Sequence, residues 1–579
     1  MARVVGIDLG TTNSLVAVLE GGKPIIIPDA QGLRLTPSVV GLDASGQIIV
    51  GASARAQLPL APERTVAEAK RRMGSSDRLS LGERSYLPQE LGGFVLKKLR
   101  DDAERFLGER VREAVVTVPA YFTDAQRQAT RDAGELAGLV VERIINEPTA
   151  AALAYGIDRL DAEEHVLVYD LGGGTFDVSV LEMFGGVLDV RASAGNNHLG
   201  GTDFDAALVK WLVELVAAQH GVDVSSDARA MARLKRAAEE AKVALSSATV
   251  VPVVVPHLAT KGGRAVSLEA ELPRATFERL VGPLVHSTLE PIRSALRDAK
   301  LEPRAISAVV LVGGSSRMPL VRQVLGEFFG KAPLEGVDPD EAVALGAAIQ
   351  AGLKSGTVSA ATGIMITDVA PYTLGVEVLQ RTAAGTPMSG FFSPIIPRNS
   401  TIPISRTEIY RTVSDGQTEV SIRVFQGEDR LARNNAFLDE YLVEGVPPAR
   451  AGVEAVAVTF TYDLNGILQV KTKVVSTGKD AVLVVENSRS LTPLERQEAR
   501  ARVEREWGPG AASVAAPPEP AKNDLAAVAR ARLTLLTGPS RERLEGALTA
   551  LERARAKADA KGIADAEEAL TNVLFDLDG

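Results

Sequence analysis

Over residues 1–355 short apolar runs alternate with stretches whose apolar positions recur at helical spacing. The run Val4-Val5-Gly6-Ile7 ends in Asp8-Leu9-Gly10, passes the small polar turn Thr11-Thr12-Asn13-Ser14 and resumes as Leu15-Val16. Residues 166–180 repeat the figure. Val166-Leu167-Val168-Tyr169-Asp170 is followed by Leu171-Gly172-Gly173-Gly174-Thr175 and a return run, Phe176-Asp177-Val178-Ser179-Val180. Glycines at such a turn reach conformations closed to other residues and leave backbone N–H groups bare to an anion. One such hairpin is ordinary. A third glycine loop, Leu199-Gly200-Gly201-Thr202-Asp203, and a fourth, Gly313-Gly314-Ser315 after the apolar Ala308–Val312, make chance a poor account. The repetition predicts a duplicated fold whose halves each offer a phosphate-gripping turn to a shared cleft.

Between the hairpins, residues 112–118 read as a strand ended by Pro119, and Thr123-Asp124-Ala125-Gln126 is a capping box opening a helix to about Gly138. Arg143 to Asn146 finish another strand; Glu147-Pro148 then starts an alanine-rich helix that stops at Gly156. Strand–helix alternation of this kind predicts α/β layers. Residues 356–368 break the pattern with small residues ending in Ile364-Met365-Ile366, which reads either as an edge strand or as a linker that docks in one state only. From 369 to 488 the period becomes two: Val420, Ile422 and Val424 alternate with polar neighbours, and Val456, Val458, Phe460 and Tyr462 lead to an Asn465-Gly466 turn. Closely spaced strands without helices predict a β-sandwich. Residues 489–579 return to helix, opened by the capping box Thr492-Pro493-Leu494-Glu495 and interrupted by a proline-rich break at 508–522.

A net charge of −10 argues against a nucleic-acid partner or an electrostatic membrane binder. The chain has no cysteine, and its five histidines are scattered without metal-ligand spacing. No apolar run reaches the roughly 18 residues of a membrane span, and the start runs directly into a strand, so a cytoplasmic protein is expected.

Neither GxxxxGK[ST] nor GxGxxG occurs, so an anion must be held by the hairpin turns. Asp8, Asp170 and Asp177 would then face the same cleft as nucleotide phosphates, and carboxylates repel phosphates unless a hard cation such as Mg²⁺ stands between them. A lysine would complete such a site. Lys70 is a candidate, although composition alone reads it as a solvated helix charge, and Glu147 reads equally as a cap for its own helix.

Residues 6–14, 118–130, 144–152, 169–177, 198–205 and 311–319 together resemble the seventy-kilodalton heat-shock chaperone family, over roughly residues 1–507. The resemblance implies a multi-domain chain: an actin-like α/β ATPase domain at 1–355, a linker at 356–368, a β-sandwich substrate-binding domain at 369–488 and a short helical lid at 489–579. It implies that Asp8, Asp170, Asp177 and Glu147 surround hydrated Mg²⁺ and the attacking water, with K⁺ a further candidate, and that Lys70 orients that water. It places Thr175, Gly10, Thr11, Thr12, Asn13, Gly172, Gly173, Gly174, Gly200, Gly201 and Thr202 at the phosphates of ATP or ADP. Glu239, Lys242, Ser246, Gly313, Gly314, Ser315, Arg317 and Asp340 would line the adenosine end. Arg143 matches the position meeting a J-domain co-chaperone; Pro119, Arg127 and Asp368 match residues relaying nucleotide state. A peptide groove would use Leu374, Val376, Leu379, Tyr410, Val413, Val420, Ile422 and Ile467. The implied function is slow ATP hydrolysis controlling the capture of unfolded, apolar polypeptide segments in protein folding and stress response. Alternatives are a client-dedicated member serving iron–sulfur assembly, and, outside the class, a small-molecule kinase or a filament protein of the same ATPase fold. Two departures carry expectations: a short segment between Lys70 and Tyr86 bears on docking of a nucleotide exchange factor, and Thr367, where the family is usually apolar, implies weaker linker docking.

Overall fold

The computed structural model describes residues 3–157, 159, 162–262, 264–356, 365–381, 387–484, 491–507, 539–556 and 570. The expected linker residues 357–364 and the proline-rich break at 508–522 lie outside them. Residues 1–512 form one compact unit and residues 513–579 another.

Two mixed sheets organise the first part of the larger unit. In the first, Val4–Asp8 lies between a parallel neighbour, Glu113–Val118, and an antiparallel one, Asn13–Glu20. In the second, Glu164–Leu171 lies between parallel Ala308–Val312 and antiparallel Phe176–Phe184. The same plan twice is the duplication the hairpins predicted. Both central strands are buried on both faces, which is why they read as unbroken apolar runs. Two helices, Glu147–Gly156 and Ala342–Ser355, cross between the sheets at very short range. A Cβ on Gly346 would stand 1.7 Å from the Ala150 carbonyl oxygen, and one on Gly6 2.1 Å from the Ala348 nitrogen. Small residues fill both helices because nothing larger fits at that separation.

The apolar patch after the small-residue stretch is an edge strand. Met365–Ile366 adds parallel to Val187–Asn196, with Met365 N–H donating to the Gly186 carbonyl and Thr367 N–H to that of Leu188, each at 3.1 Å. Thr367, where weaker docking is expected, donates through its hydroxyl to Asp189 and accepts from Val190 N–H. Such bonds offset the cost of taking the hydroxyl out of water.

Residues 374–484 form two four-stranded antiparallel sheets around one core. One holds Leu374–Arg381, Pro387–Ile396, Glu419–Gln426 and Ala436–Glu444; the other Ile404–Arg411, Ala455–Tyr462, Leu468–Val474 and Asp480–Val484. Burial alternates along Ala455–Tyr462 as a period of two requires. These paired sheets touch the first sheet's elements directly: Asn465 accepts from Ile144 N–H at 3.1 Å, and the Asp124 carboxylate accepts from Leu468 N–H at 3.3 Å. Asp124 is fully enclosed there, and burial pushes its carboxyl up to about 7.

Helix Pro493–Glu506 lies on helices Pro88–Leu107 and Asp124–Leu136, with Ala499 and Val503 in the first sheet's core. Its arginines meet buried carboxylates: Arg502 to Glu90 at 2.9 Å and Arg496 to Asp132 at 3.2 Å. Burial raises Asp132 to about 6 against the pull of Arg496. Trp507 closes the contact, its ring stacked on Phe94 at 6.3 Å and its indole N–H donating to Asp101 at 2.9 Å. Trp507→Ala removes about 2 kcal/mol of half-buried contact from this helix. Amide exchange across residues 493–506 should then accelerate; unchanged protection would show that the helix is held elsewhere. In the smaller unit, helix Pro539–Ala556 buries Leu544, Leu548 and Leu551, which stand four and three residues apart on one face.

Candidate functional site

A cavity of about 370 Å³ lies between the two sheets, lined by both hairpin turns. The turns touch. A Cβ on Gly173 would meet Thr12 Oγ1 at 2.1 Å, and one on Gly174 would meet Thr11 Cγ2 at 2.8 Å, so glycine is what lets the halves close. The hydroxyls of Thr11, Thr12 and Thr175 and the Asn13 amide line the cavity beside Gly10, Gly172 and Gly173.

At its floor stand three carboxylates, Asp8, Asp170 and Glu147, and one ammonium, with the Asp177 carboxylate behind them. Asp8 ends its strand and accepts from the Thr117 hydroxyl at 3.0 Å. Asp170 and Asp177 are direct partners across the second hairpin. Glu147 begins its helix and takes Lys70 Nζ on Oε1 at 2.6 Å. Lys70 is 6% exposed, which overturns its reading as a solvated helix charge, and Glu147 pairs with it rather than serving only as a helix start. One cation cannot satisfy four acids. Burial, then the Glu147 charge, push Asp8 and Asp177 each up to about 7 and Asp170 well above the usual carboxylate range. Asp177 Oδ2 is buried with no hydrogen-bond partner. Such a set favours an additional positive charge. Among the described residues no group of three His, Cys, Asp or Glu side chains is arranged to hold a metal ion outright.

At the far end, Glu239, Lys242 and Ser246 lie three and four residues apart on one helical face. Lys242 Nζ donates to Asp205 at 2.8 Å and to the Gly201 carbonyl at 3.1 Å. Gly313, at φ +78°, turns the chain so that Gly314 and Ser315 face inward, and Ser315 Oγ donates to the Gly172 carbonyl at 3.0 Å. Arg317 Nε donates to Asp340 at 2.9 Å. Leu15, Leu35, Met318 and Val343 add apolar walls that the motifs did not reveal.

Gly174, Asp177, Gly200, Gly201 and Thr202 are placed behind this lining. Gly201 and Thr202 N–H groups donate to the Gly172 and Gly173 carbonyls at 3.0 and 2.8 Å, so the third glycine loop buttresses the second turn. Arg71, also missed, crosses to that loop and donates to Thr202 Oγ1 at 2.5 Å and Asp203 at 3.1 Å. Its only signal was its place beside Lys70 in a basic triplet.

Outside the cavity, Arg127 donates to the Ala120 carbonyl and to Asn146 Oδ1, whose amide donates to Asp368 at 2.8 Å. Arg143 faces the same Asp368, its guanidinium lowered by burial. Pro119 opens the turn that this group surrounds. The eight groove candidates divide. Leu374, Val376 and Ile422 point into the paired-sheet core, because their strands' inward face meets the opposite sheet, and Ile467 is also buried. Tyr410 and Val420 are half-buried at that core's rim, while Leu379 and Val413 are exposed.

The Hsp70 protein family model matches residues 4–80 and 76–575. The Chaperone protein DnaK of Thermotoga petrophila is 51% identical over 492 residues, 84% of this chain and 81% of that one. Those of Thermotoga neapolitana and Thermosipho africanus are 50% and 49% identical over the same shares. The chain belongs to the Hsp70 family, whose members combine an ATPase domain with a sheet-rich substrate-binding domain. It is a chaperone that hydrolyses ATP, and the kinase, filament and iron–sulfur-dedicated alternatives are not favoured. No helix among the described residues is long and apolar enough to cross a membrane.

Proposed function

We propose that residues 1–355 are an actin-like ATPase domain whose cavity holds ATP or ADP, with Asp8, Asp170 and Asp177 around a hydrated Mg²⁺. What supports this reading is the convergence of three buried acids and one lysine, backed by the buried Asp177, on a cavity walled by two glycine turns in contact. The donor set fits a hard cation that keeps its waters. Bound there, Mg²⁺ supplies charge neutralisation to the phosphates; K⁺ is a second candidate. Lys70, fixed by Glu147, positions the attacking water and faces the charge that develops on the phosphoryl group. Thr11, Thr12, Asn13 and Thr175 hold phosphate oxygens, and Glu239, Lys242, Ser246, Arg317 and Asp340 hold adenosine. Gly200, Gly201 and Thr202 act by backing the second turn.

The paired sheets are a β-sandwich that takes client peptide, the Pro493–Glu506 helix begins a lid, and residues 357–364 complete the linker. Burying two or three apolar side chains at about 1.5–3 kcal/mol each reaches roughly micromolar affinity after association costs. Tyr410, Val420, Leu379 and Val413 supply that rim, with Leu374, Val376, Ile422 and Ile467 forming its floor. With the edge strand Met365–Ile366 in place and the lid helix on the ATPase domain, this is the pose expected with ATP; hydrolysis releases both and closes the groove. A J-domain partner docks near Arg143, an exchange factor resets the cycle, and the cytoplasm is the working compartment.

The test is peptide dissociation from protein loaded with ATP or with ADP. Equal off-rates would sink the proposal. Val420→Phe, which fills the rim, should weaken peptide capture about tenfold through overpacking, and unaltered affinity would place this side chain outside the groove.

A further inference from the structure

The turn Pro119-Ala120-Tyr121-Phe122 is closed by Phe122 N–H donating to the Pro119 carbonyl at 3.2 Å, and it is gripped from three directions. From its own helix, Arg127 donates to the Ala120 carbonyl at 3.0 Å. From the second sheet, Asp177 accepts from Tyr121 N–H at 3.1 Å. From the paired sheets, the Tyr372 hydroxyl donates to the Tyr121 carbonyl at 3.0 Å, and the two phenol rings lie 4.3 Å apart. Asn197 donates to the same carbonyl at 2.7 Å.

Asp177 has little else to fix it. Among the described residues its Oδ2 has no hydrogen-bond partner, and Tyr121 N–H is the donor to its Oδ1. Gly195, its partner on the next strand, makes room for this arrangement, since a Cβ there would stand 2.6 Å from Asp177 Oδ1 and 3.1 Å from Tyr121 Cβ. The carboxylate's aim therefore follows the Tyr121 turn, and that turn rests on a side chain two residues before the strand Leu374–Arg381.

We infer that Tyr372 is a positioning residue for ATP hydrolysis: its hydroxyl sets the Tyr121 turn and thereby aims the Asp177 carboxylate. This rests on the placement of Asp177 in the reaction site. A peptide that shifts the strand beginning at Leu374 moves Tyr372, and the shift reaches the acid through one hydroxyl, the backbone of Tyr121 from its carbonyl to its nitrogen, and one N–H.

Tyr372→Phe keeps the ring and removes only the hydroxyl. In the full chain, single-turnover hydrolysis is measured with and without an apolar peptide, beside the affinities for ATP and for the peptide. Losing one neutral hydrogen bond should shrink the peptide-induced change in rate about fivefold, with both affinities within about twofold of the parent. Asn197→Ala, which removes the other donor to that carbonyl, should move the rate in the same direction. A parental peptide response in Tyr372→Phe overturns the inference, as does ATP affinity that falls in step with the rate. Asp177→Asn separates the two levels. If it hydrolyses at the parental rate, the placement of Asp177 fails; if it is slow while Tyr372→Phe behaves as the parent, the inference alone fails.

Discussion

Lys70→Ala should release phosphate about a hundred- to a thousandfold more slowly in a single turnover, the usual scale for losing one preorganised charge at a transition state. ATP affinity should stay within about tenfold, because the glycine turns and the proposed adenosine end are untouched and the role proposed for this lysine is not a uniform binding contribution. The structure separates the two effects. Lys70 sits at the floor against Glu147, whereas Glu239, Lys242 and Arg317 stand at the opposite end of the cavity. Truncation also leaves Glu147 buried without its cation, so the nucleotide-free variant should melt lower. Parental turnover would remove Lys70 from the chemistry, and a rate loss matched by lost binding would make it a ligand contact only.

The second large effect concerns the waist between the sheets. Gly346→Ala forces a methyl group to within 1.7 Å of the Ala150 carbonyl oxygen and 2.3 Å of its carbon, both backbone atoms that cannot swing aside. Alanine is better than glycine in a helix by about 1 kcal/mol, so propensity alone predicts stabilisation. Overpacking should win, at about 3 kcal/mol or more, since two crossing helices must separate. Gly326, inside helix Pro319–Phe329, is the internal comparison: a methyl group there would have the Lys331 carbonyl oxygen as its nearest neighbour, at 3.9 Å. Gly326→Ala should therefore raise thermal stability where Gly346→Ala lowers it by several degrees. Equal shifts would mean that the helices yield more readily than their spacing implies.

The hairpins were legible because apolar runs closing on Asp-Leu-Gly leave a local signature, and the second copy gave it weight. The same holds for the helix starts at Thr123 and Thr492, where a capping box is a short-range device. The setting of Lys70 was not legible. Glu68, in the left-handed region at φ 59°, turns the chain into a single tight turn at Ala69–Arg72, and helical periodicity cannot register that bend. Arg71 and the buttressing role of the third glycine loop escaped for a different reason, since both depend on contacts with residues far along the chain. In the paired sheets, alternation distinguished two faces along Glu419–Gln426 but not which inward residues meet the opposite sheet and which reach the rim. Contacts such as Asn465 with Ile144 and Tyr372 with Tyr121 join residues hundreds of positions apart and leave no trace in local spacing.

The chain contains only two tryptophans, Trp211 and Trp507. With Trp507 lodged against Phe94 beside the Lys97 ammonium, one of the protein's two indole emitters sits where helix Pro493–Glu506 meets helix Pro88–Leu107. If the proposed cycle lifts that helix away, the fluorophore passes into water, and the unlabelled protein then times its own opening by its emission.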